Sequence, residues 1–149
     1  PDMAPAIFTK SILEGAPINL FNHGEMRRDF TFIDDIVEGV VQVTRRPPAR
    51  NDAWDSDHPD PATAAAPFRV FNIGNNQPTP LMEFVSTLES VLGRTAEKKL
   101  LPMQPGDVVA TAADTERLAA VTGFAPSTPL SAGLKAYADW YRGYYKIGA

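Results

Sequence analysis

The stretch Arg27-Arg28-Asp29-Phe30-Thr31-Phe32-Ile33-Asp34-Asp35-Ile36-Val37 decides how this chain is read. Phe30 and Phe32 alternate with Thr31 and Ile33, as an extended segment does. Continued backwards, that alternation puts Arg28 on the side of the two phenylalanines and turns Arg27 the other way, towards water. Asp34 or Asp35 is then expected to cap a helix running to about Arg46, where Arg45 and Arg46 suit the negative helix end and Pro47-Pro48 stop it. Inside that helix, Ile36 to Val43 holds Ile or Val at five of eight positions, around much of the circumference. Such a helix needs cover on more than one side. Gly39 in its middle costs about 1 kcal/mol relative to Ala, which is tolerable where another backbone packs close.

On the N-terminal side, Pro5 to Glu14 carries Ile7, Phe8 and Ile12 on one face and closes at Gly15 and Pro17. Ile18 to Phe21 is a short strand candidate, followed by a polar turn at Asn22-His23-Gly24-Glu25. On the C-terminal side, residues 47–67 hold five prolines among Asp, Asn, Ala and Thr, and read as an irregular surface insertion. Phe68 to Ile73 is a strand candidate ending at Gly74. A helix follows, with Thr79 as cap, Pro80 in the first turn, Gly93 at the end, and Leu81, Phe84, Val85, Leu88, Val91 and Leu92 at helical spacing. Lys99 to Met103 is a possible strand, Asp114 starts a short helix ending at Gly123, and Thr128-Pro129 starts the last helix. That helix is lined by Leu130, Leu134, Tyr137, Tyr141 and Tyr145. Five helices against about four short strands describe part of a larger α/β structure whose main sheet lies elsewhere.

Composition narrows the function. A chain of 149 residues with 44% apolar content suffices for a core. The formal charge of −4 argues against a nucleic-acid backbone as partner. With no cysteine, neither a disulfide nor a thiolate metal site or nucleophile is available, which fits the cytoplasm. No apolar run approaches the roughly 20 residues of a membrane span. Pro1-Asp2-Met3-Ala4-Pro5 reads as sequence from within a longer protein.

The order of several segments resembles UDP-glucuronate 4-epimerases, which belong to the extended short-chain dehydrogenase/reductases. They are Pro1-Asp2-Met3-Ala4, Gly15-Ala16-Pro17-Ile18, Arg27 to Val37, Phe71-Asn72-Ile73-Gly74-Asn75, Leu101-Pro102-Met103-Gln104-Pro105-Gly106-Asp107-Val108, and Trp140-Tyr141-Arg142-Gly143-Tyr144-Tyr145. The resemblance implies an α/β fold: the C-terminal substrate-binding subdomain, with elements that pack on an N-terminal Rossmann domain. In that family the Rossmann domain holds NAD through a glycine-rich turn and carries a Tyr and a Lys four positions apart. Neither feature occurs in this chain, so the resemblance implies no catalytic or NAD-binding residue here, and an inactive chain by itself. Strand Phe68–Ile73 and helix Asp35–Arg46 are expected to face the absent domain, through Ile36, Val37, Val40, Val41 and Phe71. Exposure of that surface predicts self-association or a homo-oligomer.

The implied partner is a UDP-sugar, and the implied contacts are five residues. Arg28 would grip the diphosphate, because guanidinium is a planar fork with a fixed charge; its alternative is a structural salt bridge to Asp34, Asp35 or Glu25. Asn19 and Phe21 match the family's uracil site, although Phe21 could equally be core. Gln104 stands where galactose-type epimerases use an Arg, so it offers an amide without charge. Asp107 would reach a ribose hydroxyl or brace Arg28, or be a plain turn aspartate after Gly106. Asp34 and Asp35 serve capping better than acid–base work, His23 and His58 read as surface histidines without metal spacing, and Trp140 to Tyr145 reads as a packed helix end. Nucleotide-sugar dehydratases or decarboxylases share the scaffold. A non-catalytic nucleotide-sugar-binding or assembly module is the alternative of another class.

Overall fold

The computed structural model describes residues 3–148; Pro1 and Asp2 of the first resembling segment lie outside the described residues. The element order is α1 (Ala4–Glu14), β1 (Ile18–Leu20), β2 (Arg27–Arg28), α2 (Ile33–Thr44), β3 (Thr79–Pro80), α3 (Leu81–Leu92), β4 (Lys98–Leu100), α4 (Glu116–Thr122) and α5 (Leu130–Tyr145). These elements form two compact units. The first comprises the chain up to Phe30, Gln77–Ala112 and the part from Thr128 on; the second comprises Thr31–Asn76 and Ala113–Ser127.

The core of the first unit is built on α3. Leu81, Phe84, Val85, Leu88 and Leu92 are buried on one helical stripe, and α3 packs against both α1 and α5. Phe84 is fully buried, with Phe30 stacked on it at 4.3 Å and Phe8 tilted against it at 6.4 Å. Phe8 and Ile12 of α1, Ile18 and Leu20 of β1, and Leu134 and Ala138 of α5 complete the cluster. Full burial of such side chains contributes roughly 1.5–3 kcal/mol each, so this cluster holds the unit together. Two arginines cap helices other than their own. Arg94 donates to the Leu13 carbonyl at the end of α1, and Arg142 donates to Leu92 O at 2.7 Å at the end of α3. Each satisfies a carbonyl that the helix itself leaves open.

Two small sheets lie in this unit. β1 pairs with β4 in parallel, Asn19 opposite Lys99, and β2 pairs with β3 antiparallel, Arg28 opposite Thr79. Several boundaries differ from the sequence reading. β1 stops at Leu20, and Phe21 opens a 3₁₀ turn through Gly24. Asn22 and His23 there have φ of 47° and 53°, values that end a strand. β4 runs over Lys98–Leu100, because only those residues meet β1. α3 begins at Leu81 with Pro80 as its N-cap, and the Thr79 hydroxyl donates to Gln77 O instead of capping. The β2 ladder ends at Arg28, so the alternation read through Phe32 has no ladder to rest on.

In the second unit, α2 begins at Ile33, one residue ahead of the expected caps. Phe32 is the N-cap and makes no side-chain cap bond. Asp34 and Asp35 sit in the first turn, where carboxylates favour the helix dipole, and Asp35 accepts from the Ser127 N–H at 3.2 Å. Gly39 is the buried residue of α2: a Cβ there would lie 3.1 Å from Ile73 Cγ2 and 3.5 Å from Phe124. The glycine is closely approached, but by the side chains of Ile73 and Phe124 and not by the backbone expected from the sequence. The expected strand at Phe68–Ile73 does not form. Its ladder amounts to the single bridge Thr63↔Arg69 with a Val70 N–H to Ala62 O bond, because a strand needs a partner along its length and among the described residues only this short stretch pairs with it. Residues 47–67 are irregular, and Asp60 ties them to α4 through Arg117 at 2.8 Å. That pairing, led by the Arg117 hydrogen bond, holds the Asp60 carboxyl below its ordinary value. Among the described residues no helix is long and apolar enough to cross a membrane.

Candidate nucleotide-binding site

All five residues singled out in the sequence fall in the first unit, on the stretches 18–28 and 101–111. Backbone hydrogen bonds bind these stretches together. Leu101 N donates to Leu20 O at 2.9 Å and accepts from His23 N at 2.9 Å through its own carbonyl. Arg27 N donates to Val109 O at 2.8 Å, and Thr111 N donates to Arg27 O at 3.2 Å. The loop from Leu101 to Thr111 is therefore pinned at both ends to the segment that carries Asn19, Phe21 and Arg28. Its bend is a turn over Gln104–Asp107, closed by the Asp107 N–H on Gln104 O at 3.2 Å. Pro105 and Gly106 occupy the central positions, and Gly106 has φ 89°, the left-handed value a type II turn demands there.

Arg28 is half-buried. Its Nη1 donates to Arg27 O at 2.9 Å and Val109 O at 3.3 Å, and among the described residues no carboxylate pairs with it. The bridge to Glu25, considered from the sequence, is not formed. A guanidinium oriented by neutral carbonyls keeps its charge available to an anion. Arg27 differs from the expectation of a free surface charge: Nε and Nη2 both bond Pro78 O, at 3.3 and 3.0 Å. Asp29 is likewise engaged, accepting from Gln77 N at 3.3 Å, while its own N–H reaches Thr111 Oγ1 at 3.4 Å.

Asn19 is exposed, between the buried Ile18 and Leu20, and Phe21 is half-buried with part of its ring on the core. Gln104 is exposed and Asp107 half-buried. Around them Leu100, Met103, Val108 and Val109 each leave more than a third of their surface open, an apolar rim beside polar groups, as small-molecule sites have. The roles of Val109 and Thr111 were invisible in the sequence, because a carbonyl acts whatever its side chain, and a lone threonine carries no motif. No group of three or more His, Asp or Glu side chains is placed to hold a metal among the described residues. Tyr137 and Tyr141 of α5 offer no ready base: burial pushes their phenols above the ordinary value, away from the ionised form.

The comparisons with known proteins bear on the family and the fold. A family model described as the NAD dependent epimerase/dehydratase family matches residues 1–59. The chain is 43% identical over 147 residues to a probable UDP-glucuronate 4-epimerase of Rhizobium meliloti, across 98% of this chain and 43% of that protein. The chain belongs to the NAD dependent epimerase/dehydratase family. Protein CapI of Staphylococcus aureus is 44% identical across 98% of this chain and 44% of its own length. Among solved structures, the UDP-glucuronic acid 4-epimerase of Bacillus cereus, in complex with UDP-glucuronic acid and NAD, is 29% identical. It superposes with a TM-score of 0.77 over 97% of this chain and 41% of that one. The α/β architecture is thus part of the extended short-chain dehydrogenase/reductase fold, and the chain spans about two fifths of the length of the relatives it matches.

Proposed function

We propose that this chain is the C-terminal, substrate-binding part of an NAD-dependent enzyme that inverts carbon 4 of UDP-glucuronate. The observation that carries the reading is Arg28, a half-buried guanidinium aimed by two carbonyls and, among the described residues, compensated by no carboxylate. It stands within residues 1–59, which the family model matches. In this reading Arg28 grips the diphosphate, Asn19 and Phe21 hold the uracil, Gln104 donates an amide to the second phosphate, and Asp107 reaches a ribose hydroxyl. The Pro-rich 47–67 segment is an insertion outside this site.

The residues present do not fit NAD: the sequence has no glycine-rich strand-to-helix turn and no Tyr with a Lys four residues on. NAD, which accepts and returns hydride, would be held by an N-terminal Rossmann domain of the same cytoplasmic protein. The part played by this chain is to bind and orient the nucleotide so that the sugar is presented to that domain.

The test is to incubate UDP-glucuronate and UDP-glucose with a protein carrying both this chain and its Rossmann domain, and to separate the products. Conversion of UDP-glucuronate to its 4-epimer is expected. A dehydrated or decarboxylated product would assign the same scaffold to a different reaction, and absence of nucleotide-sugar binding would leave a non-catalytic module. The 149-residue chain alone is expected to retain no tightly bound NAD and to show no turnover; epimerisation by it would overturn the division of labour.

A further inference from the structure

Lys98 and Lys99 are neighbours in sequence, yet the sheet sorts them. In β1 the buried residues are Ile18 and Leu20, which face the core, so Asn19 stands on the open face. β4 pairs in parallel with Ile18 opposite Lys98 and Asn19 opposite Lys99. Register partners share a face, so Lys98 goes inward and Lys99 outward. The side-chain partners agree: Lys98 is bonded to Glu89 of α3, whereas Lys99 is exposed, with no ion pair or side-chain hydrogen bond among the described residues. An uncompensated ammonium thus stands beside the Asn19 amide, about 5 Å away at the backbone across the strand pair.

We propose that Lys99 is a specificity residue for the nucleotide base, its ammonium donating to the carbonyl oxygen at position 4 of uracil. This rests on the assignment of Asn19 to the base site. The chemistry follows from donor count. An ammonium has three donors and no acceptor, so it favours a carbonyl and repels the amino group that cytosine carries at the same position. Lys99 sits level with Asn19, whereas Arg28 follows only after the turn at Phe21–Gly24. The two cations therefore divide the ligand, Arg28 taking the phosphates and Lys99 the base. The other use of such a lysine is to keep a short edge strand from pairing with another chain.

Calorimetric titration of the chain with UDP and with CDP separates these uses. Lys99→Met lowers UDP affinity about fivefold to tenfold, as loss of one charge-assisted hydrogen bond does, with little change for CDP, so the preference for UDP falls. Lys99→Arg retains most of the preference. Lys99→Gln stays polar and keeps the test readable where the Met variant self-associates. Arg28→Ala weakens both nucleotides alike. An unchanged UDP-to-CDP ratio in Lys99→Met and Lys99→Gln, with UDP weakened by Asn19→Ala, overturns the proposal and leaves the base site standing. UDP affinity unaltered by both Asn19→Ala and Arg28→Ala overturns the base site itself, and this proposal with it.

Discussion

Arg28 is hydrogen-bonded through Nη1 to the carbonyl of Val109 at 3.3 Å, and that same oxygen accepts the Arg27 backbone N–H at 2.8 Å. One oxygen thus fixes both a side chain and a strand edge. The guanidinium is held in place before any ligand arrives, which lowers the entropy that binding must remove. Because the acceptor is neutral, it does not cancel the positive charge of the guanidinium.

Replacing Arg28 by Ala is expected to weaken UDP binding by about 2–4 kcal/mol, the loss of a charge-assisted contact shielded from water. Arg28→Lys recovers part of this, since an ammonium cannot reproduce a two-pronged grip. Calorimetry on variants whose circular dichroism matches the parent measures both. Undiminished binding in Arg28→Ala would remove the diphosphate role.

Arg27 has a different task. Its two bonds to Pro78 O tie β2 to the residue ahead of β3. Arg27→Ala is expected to lower stability by about 1 kcal/mol and to change UDP affinity by less than about 1 kcal/mol. Urea unfolding beside calorimetry checks the pair of values. A loss of affinity equal to that of Arg28→Ala would place both arginines on the ligand.

The Glu89–Lys98 pair predicts acid sensitivity. Burial pushes the Glu89 carboxyl up, but the Lys98 ammonium and the Ala96 N–H at 2.7 Å outweigh it, and the carboxyl titrates below its ordinary value. A carboxyl whose folded value is depressed stabilises the fold above its unfolded value, and that stability is lost as pH falls through the folded value. Melting temperature should therefore drop as pH falls below the ordinary glutamate range. Glu89→Gln should be less stable near neutrality and lose part of that dependence. Identical pH profiles for parent and variant would refute the linkage.

Gly39 sets opposing effects against each other. Ala would gain about 1 kcal/mol of helix propensity, but its Cβ would stand 3.1 Å from Ile73 Cγ2 and 3.2 Å from Cδ1. The two nearly cancel, so Gly39→Ala is expected within about 0.5 kcal/mol of the parent, while Gly39→Leu overpacks and costs about 1–3 kcal/mol or more. Denaturant midpoints decide this, and a tolerated Leu would mean that Ile73 is not fixed there.

The second unit carries an apolar surface that shares Val37 and Val40 with the one anticipated and otherwise differs from it. Ile33, Val37 and Val40 are each at least half exposed along α2, with Phe68 and Val70 nearly so, whereas Ile36, Val41 and Phe71 are half-buried. Concentration-dependent self-association of the chain is expected, reduced by Val37→Glu. Light scattering that reports a monomer at high concentration in the parent would refute it.

The sequence alone determined the helices and the family, since both rest on local information. The stripe Leu81, Phe84, Val85, Leu88 and Leu92 repeats at helical period, and Gly93, with φ 65°, ends α3 where left-handed backbone is needed. The five candidate residues were picked from motifs that run in order along the chain, and the structure gathers them in the first unit. Tertiary structure alone decided which apparent strands pair. Phe68–Ile73 has strand composition and no ladder, while the unremarkable Lys98–Leu100 pairs with β1. It also decided the partners of charge. Arg27 and Arg28 look alike in the sequence, and only the positions of Pro78 and Val109, 51 and 81 residues away, tie the one to Pro78 O and set the other on neutral carbonyls with no carboxylate partner among the described residues. Propensity acts between neighbours along the chain. A ladder or a carbonyl partner is a relation between segments far apart in it, and it exists only once the core around Phe84 has brought them together.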